Sequence, residues 1–583
     1  MRTTRWKSLA AMGAVAALSL TACNSTTSNN NSGGATPTFN AAVGKVFNPS
    51  DAKGGIIKFA DEGQQDSVDP GDTYYGYSWN FVRTYGRALT MFTPAPGDAS
   101  NKLTGDLATG LGEPSNGAKD WTYHLRHGVK FETGAEITSA DVKYGVERST
   151  DKTTFPDGPA YFDTLLNWPK GWAGPYKSKG MNTDSAISTP DKYTIVFHFK
   201  APFSDMDYLA MTPQTIPVPQ AKDTGANYKQ HVVSSGPYMF TNYQDGKSFS
   251  LRRNPHWDPS TDPNRKALPD GYDVSLNVNA DDIANRVAAG DLDVAYATVG
   301  VTPAMQSRAL TDPTLKARLD NPSLARLQYT SINPTVPPLD NIHCRMAIEY
   351  GMDRIAYQTS YGGALAGGDP AHSMLTPVIP GYQNFNLYPS AGDHGDLAKA
   401  KSELQACGHP SGFTTNIAFR VERPFEKAAA EAFQQQLAKV GIQLTPKGFP
   451  KADYFSTYAG NPPYVKAHSL GLIINSWGAD WNDGYGMLSQ IVDSRVIRDT
   501  GGSSNTSVRV PAVDKLLDQA AVETDTAKRN ALYGEIDKAV MQQAVTYPGL
   551  YGKLLLMRSK HLTNVFINQN YGGYDFLSLG VQK

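Results

Sequence analysis

The sequence predicts a mixed α/β protein built as at least two lobes, and three observations carry that expectation. Short β-type runs, GGIIKFA at 54–60, WTYHLRHGVKF at 121–131 and YTIVFHF at 193–199, alternate with amphipathic helical stretches and show no fixed-period repeat. Strand signals dominate the first half, whereas 340–545 is richer in helical pattern. Beyond the polar N-terminal stretch about 530 residues remain, more than one hydrophobic core usually holds.

Taken in chain order, the first element is a leader. Arg2, Arg5 and Lys7 precede an apolar run at 9–20, whose 12 residues fall short of the roughly 20 that span a bilayer. A basic start, a short apolar middle and small residues at the exit make a secretory signal peptide. Leu20-Thr21-Ala22-Cys23 resembles the bacterial lipobox. That resemblance implies a lipoprotein signal peptide at 1–22 and a lipid on Cys23. Residues 23–50 are mostly Asn, Ser, Thr, Gly and Pro. Such a stretch buries too little to offset its ordering entropy, so a flexible tether is expected.

The body follows. Thr138 opens TSADVKYGVERS as a helix cap, with Asp141 placed to reach back in a capping box. A longer helix is predicted from about residue 424, with Gly441 as its stop. Asp525 caps another amphipathic helix. With Cys23 assigned to lipid, Cys344 and Cys407 remain, both in helical pattern. They form either a disulfide, suited to an oxidising compartment, or two buried free thiols, and the thiols are the simpler expectation.

Composition and motifs narrow the function. A net charge of −1 argues against nucleic acid as a partner. No apolar segment after the leader approaches 18 residues, so no second membrane span is expected. The 30 Tyr and 8 Trp serve mainly as core, but rigid amphipathic rings also suit a cleft that grips polar-ended organic ligands. His124 and His127 would point to opposite faces of a strand, a poor start for zinc. There is no H-E-x-x-H, no G-x-S-x-G elbow and no phosphate loop. No metal or cofactor is expected, and on motif grounds a lipid-anchored surface hydrolase is a distant alternative.

Five blocks then carry a family resemblance. They are 103–149 (LTGDLATGLGEPSNGAKDWTYHLRHGVKFETGAEITSADVKYGVERS), 234–257 (SSGPYMFTNYQDGKSFSLRRNPHW), 287–295 (VAAGDLDVA), 337–354 (PPLDNIHCRMAIEYGMDR) and 475–488 (NSWGADWNDGYGML). In this order they resemble the family 5 extracellular solute-binding proteins of bacterial ABC importers, with His343 and Cys344 departing from residues usual in the fourth block. The resemblance implies an α/β, two-lobed, hinged periplasmic-binding-protein fold with an extra inserted subdomain and the ligand enclosed between lobes. Lobe I would comprise 51–92, 192–285 and 555–583, the inserted subdomain 93–191, and lobe II 286–554. It further implies a monomer on the outer face of the cell membrane that delivers short peptides to ABC permease subunits. A nickel chelate, haem, opine or oligosaccharide is the alternative ligand.

The same resemblance assigns candidate ligand-binding residues. Asp480 sits where peptide-binding members keep the carboxylate for the ligand's α-ammonium, a pairing that strengthens on desolvation. Trp477 matches the aromatic wall, and Trp481 is either a second wall or core. Arg423, before a helix-starting proline, matches the arginine that takes a dipeptide's carboxylate, a bidentate task that suits a guanidinium; Arg420 is the fallback. Tyr74, Tyr75 and Tyr77, in the run that ends at Trp79, line the opposite lobe or pack under the hinge.

Overall fold

The computed structural model describes residues 38–582; the expected signal peptide, Cys23 and the thread as far as residue 37 lie outside the described residues. From residue 38 onward the chain is packed, which corrects the expectation of a free tether up to 50. Ala41 and Ala42 are buried, the Ala42 N–H donates to Asp320 at 2.9 Å, and Phe47 bridges to Val565. A few apolar side chains suffice to dock this stretch, and a composition averaged over the whole thread hides them.

The first lobe is organised on a five-stranded sheet. Its order is Val294–Ala295, Ile56–Ala60, Gly271–Ser275, Ser248–Arg253 and Tyr238–Gln244. Ile56–Ala60 runs parallel to both of its neighbours, and the remaining pairs are antiparallel. Strand Val294–Ala295 lies past the expected lobe boundary at 285. The inserted region forms an antiparallel four-stranded sheet of Glu113–Ser115, Asp120–His124, Thr194–His198 and Ile187–Asp191. Strand Thr194–His198 therefore belongs to the insertion rather than to lobe I. The single strand expected over 121–131 stops at His124, and the chain turns at Gly128, whose φ is +74°. His127 stacks on Tyr193 at 3.9 Å, away from any metal geometry.

The second lobe carries a six-stranded sheet ordered Gly368–Pro370, Thr546–Lys553, Ser323–Ile332, Leu472–Gly478, Thr414–Arg420 and Gln443–Phe449. Strands Thr414–Arg420 and Gln443–Phe449 run parallel because helix Pro424–Ala438 makes the crossover between them. That helix buries Glu426, Ala429, Ala430, Phe433 and Leu437, the i, i+3, i+4 stripe of an amphipathic helix. Phe433 meets the rings of Tyr357 and Tyr547 at 5.7 and 5.2 Å; truncating it to alanine should cost about 3–5 kcal/mol. The stop at Gly441 is steric, because φ is +92° and a Cβ there would lie 2.5 Å from the Ser411 carbonyl oxygen. Thr138 and Asp141 form the expected capping box, and Asp525 accepts the N–H groups of Ala527 and Lys528.

Two connections join the lobes side by side. Leu319–Asp320 pairs antiparallel with Leu556–Met557, and the buried Asp320 carboxylate ion-pairs with Arg558 and accepts the Tyr574 hydroxyl at 2.7 Å. A narrow double crossing of this kind can bend without disturbing either core. The expectation of free thiols is also corrected. Cys344, on helix Ile342–Gly351, and Cys407, at the end of helix Leu397–Ala406, are disulfide-bonded with Cα atoms 5.2 Å apart. Sequence separation says nothing about how helices from different places pack side by side. Among the described residues no helix is long and apolar enough to cross a membrane.

Candidate ligand-binding site

A cleft enclosing about 1160 Å³, open solvent at its mouth included, lies between the lobes. The first lobe contributes Tyr74, Tyr75, Tyr77 and Trp79, together with the returning segment 569–572. The second contributes Arg326, Arg420, Arg423, Trp477 and Asp480.

Asp480 is positioned by a short, fully determined loop. Strand Leu472–Gly478 ends at the cavity, the Ala479 N–H donates to the Ala325 carbonyl at 2.9 Å, and the Asp480 N–H donates to that of Gly486 at 3.0 Å. Asp483 then caps helix Gly484–Val492 by accepting the Gly486 N–H at 2.7 Å. Position 486 admits only glycine without rearrangement, since a Cβ would come within 2.6 Å of the Trp481 carbonyl. The result is a tight corner that aims the Asp480 carboxylate inward.

There the carboxylate accepts two phenolic hydroxyls, Tyr74 Oη at 2.8 Å and Tyr161 Oη at 2.5 Å. Among the described residues no cation lies within 4 Å of it. Removal from bulk water raises its pKa to about 7, against the two hydroxyls, which pull it down. Tyr161 comes from helix Tyr161–Leu165 of the inserted subdomain, and no motif in the sequence signals it.

Tyr74, Tyr75, Tyr77 and Trp477 form aromatic walls of the cavity. Tyr74 stacks on Trp79 and meets Trp477 edge-on, both at 5.5 Å. Tyr75 stacks on Tyr77 at 5.3 Å, and its hydroxyl donates across the lobes to the Lys451 carbonyl at 3.1 Å. Asp66 organises this run by accepting the N–H groups of Tyr74 and Tyr75 and the Ser78 hydroxyl. Trp481 is corrected: it is wholly buried, does not line the cavity, and stacks on Tyr208 at 5.5 Å. Its indole is core, one residue past the corner that presents Asp480.

The arginines are differently placed. Arg420 closes strand Thr414–Arg420 and forks onto Glu426, with Nε 2.9 Å from Oε2. Arg423 stands at the N-cap position of helix Pro424–Ala438 without a side-chain capping bond, an unfavourable end for a cation. Glu426 in the first turn offsets that, 3.4 Å from Arg423, and Glu62 of the first lobe approaches at 3.8 Å. Both arginines thus already have carboxylate partners. Lys451 reaches across to Asp61 at 2.6 Å, both side chains fully buried, so the lobes are latched by charge as well as by the Tyr74–Asp480 bond.

A two-lobed α/β scaffold with a cavity at the seam defines the class of hinged binding proteins. The profile described as bacterial extracellular solute-binding proteins, family 5 Middle, matches residues 102–498, and the chain belongs to that family. Such proteins are the extracytoplasmic solute-binding components of ABC importers, and the chain is a binding protein rather than an enzyme. A solved structure of clavulanic acid biosynthesis oligopeptide binding protein 2 is similar at 38% identity, with a TM-score of 0.85 over 94% of this chain and 99% of that one. The probable D,D-dipeptide-binding periplasmic protein DdpA of Escherichia coli K12 is 26% identical over 490 residues, 82% of this chain and 85% of that protein. The glutathione-binding protein GsiB of Shigella boydii is 25% identical over 484 residues, 82% and 86% respectively.

Proposed function

We propose that the protein captures short peptides outside the cytoplasmic membrane and delivers them to the permease subunits of an ABC importer, held at the membrane by a lipid on Cys23. One observation carries the ligand assignment: the Asp480 carboxylate points into an aromatic-walled cavity that also contains arginines, and among the described residues it bonds only hydroxyls and has no cation within 4 Å. A peptide supplies an ammonium for the first, a carboxylate for the second and flat-packing side chains between. The similarity to proteins named for binding an oligopeptide, a D,D-dipeptide and glutathione supports the same chemistry.

Native mass spectrometry of the full-length protein, presented with di- to pentapeptides, tests this reading. Binding that is lost on N-acetylation supports it; retention of a nickel chelate, haem, opine or sugar in preference to every peptide overturns it. The lipid rests on the apolar run at 9–20 and the four residues ending at Cys23. Cys23→Ser should move the protein from the membrane fraction to the soluble one with its melting temperature unchanged, and unchanged membrane association refutes the anchor.

A further inference from the structure

We propose that Arg326, and not Arg423 or Arg420, is the residue that binds the ligand's carboxylate, at a neck between two chambers. This rests on the peptide reading above for the identity of the ligand, but on its own geometry for the position of the anion.

Arg420, Arg423 and Lys451, on this side of the seam, are already matched. Arg420 forks onto Glu426, Arg423 lies between Glu426 and Glu62, and Lys451 lies between Asp61 and Glu62. A ligand carboxylate arriving at any of them must compete with a buried protein carboxylate in place. Arg326 has no such competitor. Among the described residues no carboxylate lies within 4 Å of it, its guanidinium makes one hydrogen bond, from Nη1 to Ser476 Oγ at 3.3 Å, and its Nε is buried without a partner. Burial and the nearby Arg423 and Arg420 lower its pKa to about 10, so it stays charged at neutral pH while lacking a counter-charge. Of the four, it is the one whose environment improves when a carboxylate arrives.

The position follows from sheet register. Arg326 on strand Ser323–Ile332 is the direct partner of Gly478, two residues before Asp480, so the strand pairing brings the anion site onto the wall that carries the ammonium site. Arg326 also lines a second chamber of about 720 Å³, which shares Thr298, Arg423 and Ser476 with the first. Beyond the neck the walls are largely apolar, with Val299, Val301, Phe425, Leu554 and Leu555. A peptide held by Asp480 and Arg326 runs through the main cavity and drops its carboxy-terminal side chain into this chamber, which favours a large apolar last residue.

Calorimetry with Ala-Ala-Leu, Ala-Ala-Gly and their carboxy-terminal amides, on wild type, Arg326→Met, Arg326→Lys and Arg423→Gln, decides the assignment. Arg326→Met should weaken the free acids at least about tenfold and leave the amides within about twofold. Arg326→Lys should recover part of the loss, and Arg423→Gln should leave the acid-to-amide ratio unchanged. Unliganded Arg326→Met should melt no lower than wild type, because it removes an unmatched buried cation; a merely structural arginine would lower the melting temperature. An acid-to-amide ratio that moves with Arg423→Gln and not with Arg326→Met overturns the proposal. If wild type binds neither acids nor amides, the peptide reading fails by itself, and the anion site is read from thermal shifts with succinate, citrate and gluconate. Stabilisation that disappears in Arg326→Met sustains Arg326 as the anion site; no stabilisation of wild type by any carboxylate overturns it.

Discussion

Asp480 and the Arg420–Arg423 pair line the same cavity, yet the protein treats their charges in opposite ways. Among the described residues the carboxylate meets only neutral donors, Tyr74 and Tyr161, so no counter-charge offsets its burial and its pKa rises to about 7. The two arginines meet Glu426 and Glu62, so their burial is compensated inside the protein. A group that a ligand is to satisfy must be left short of partners, whereas a group that builds the site must not be. Residue type and position therefore identify what lies at a cavity; partner accounting identifies what is available there.

The contrast can be broken at four points, of descending effect. Glu426→Gln removes the carboxylate shared by two buried arginines and should cost about 3–5 kcal/mol of stability, measured by denaturant unfolding. In the same variant Arg420 and Arg423 become competitors for ligand carboxylates, and the preference for free acid over amide should rise. A variant as stable as wild type would mean that these arginines were never dependent on Glu426. Asp480→Asn should weaken peptides with a free amino terminus by about 2–5 kcal/mol in calorimetry and leave N-acetylated ones nearly unaffected; equal losses for both would remove Asp480 from ammonium recognition.

The third test is pH. Burial raises the folded-state pKa of Asp480 from the ordinary 3.8 to about 7, so in the unliganded protein it is mostly protonated below that value. Ionising it costs stability progressively as pH rises from 3.8 towards 7, and a ligand ammonium reverses that cost. Affinity for free-amino peptides should therefore climb about tenfold between pH 5.5 and 7, then level off before the ligand amine itself loses its proton. Asp66 and Asp157 line the same cavity, and burial pushes the pKa of Asp61 up against the pull of Lys451, so the quantity to measure is the difference between wild type and Asp480→Asn. A pH profile identical in both would assign the titration elsewhere. The smallest effect belongs to Tyr161→Phe, which removes one of the two hydroxyls and should cost about 0.5–1.5 kcal/mol of affinity near neutral pH. The apparent pKa of Asp480 should move up with it, and a downward move would contradict the role of that bond.

Much of the fold was legible because it rests on local chemistry. The Thr138–Asp141 box, the Asp525 cap, the glycine stop at 441 and the strands at 56–60 and 194–198 depend on neighbours a few residues away. Asp480 and Trp477, singled out by motif position, and Tyr74, from the aromatic run after the first strand, line the cavity, and their part in ligand binding is a proposal. Trp481 was not legible, because one residue's difference around the 478–486 corner separates cavity from core. Nor were Tyr161, 319 positions from the carboxylate it donates to, the Cys344–Cys407 bond or the docked stretch from residue 38.

By itself, then, the sequence determined the elements, the two-lobed plan and the residue types gathered at the seam, since periodicity, capping and turn chemistry act over short spans. Only the tertiary structure decided which of those charges is spoken for. In the string, Arg326 is one basic residue in a ten-residue strand. Register against Gly478 and the distance to every carboxylate give it a role, because Coulomb interaction and desolvation depend on separation in space and not along the chain.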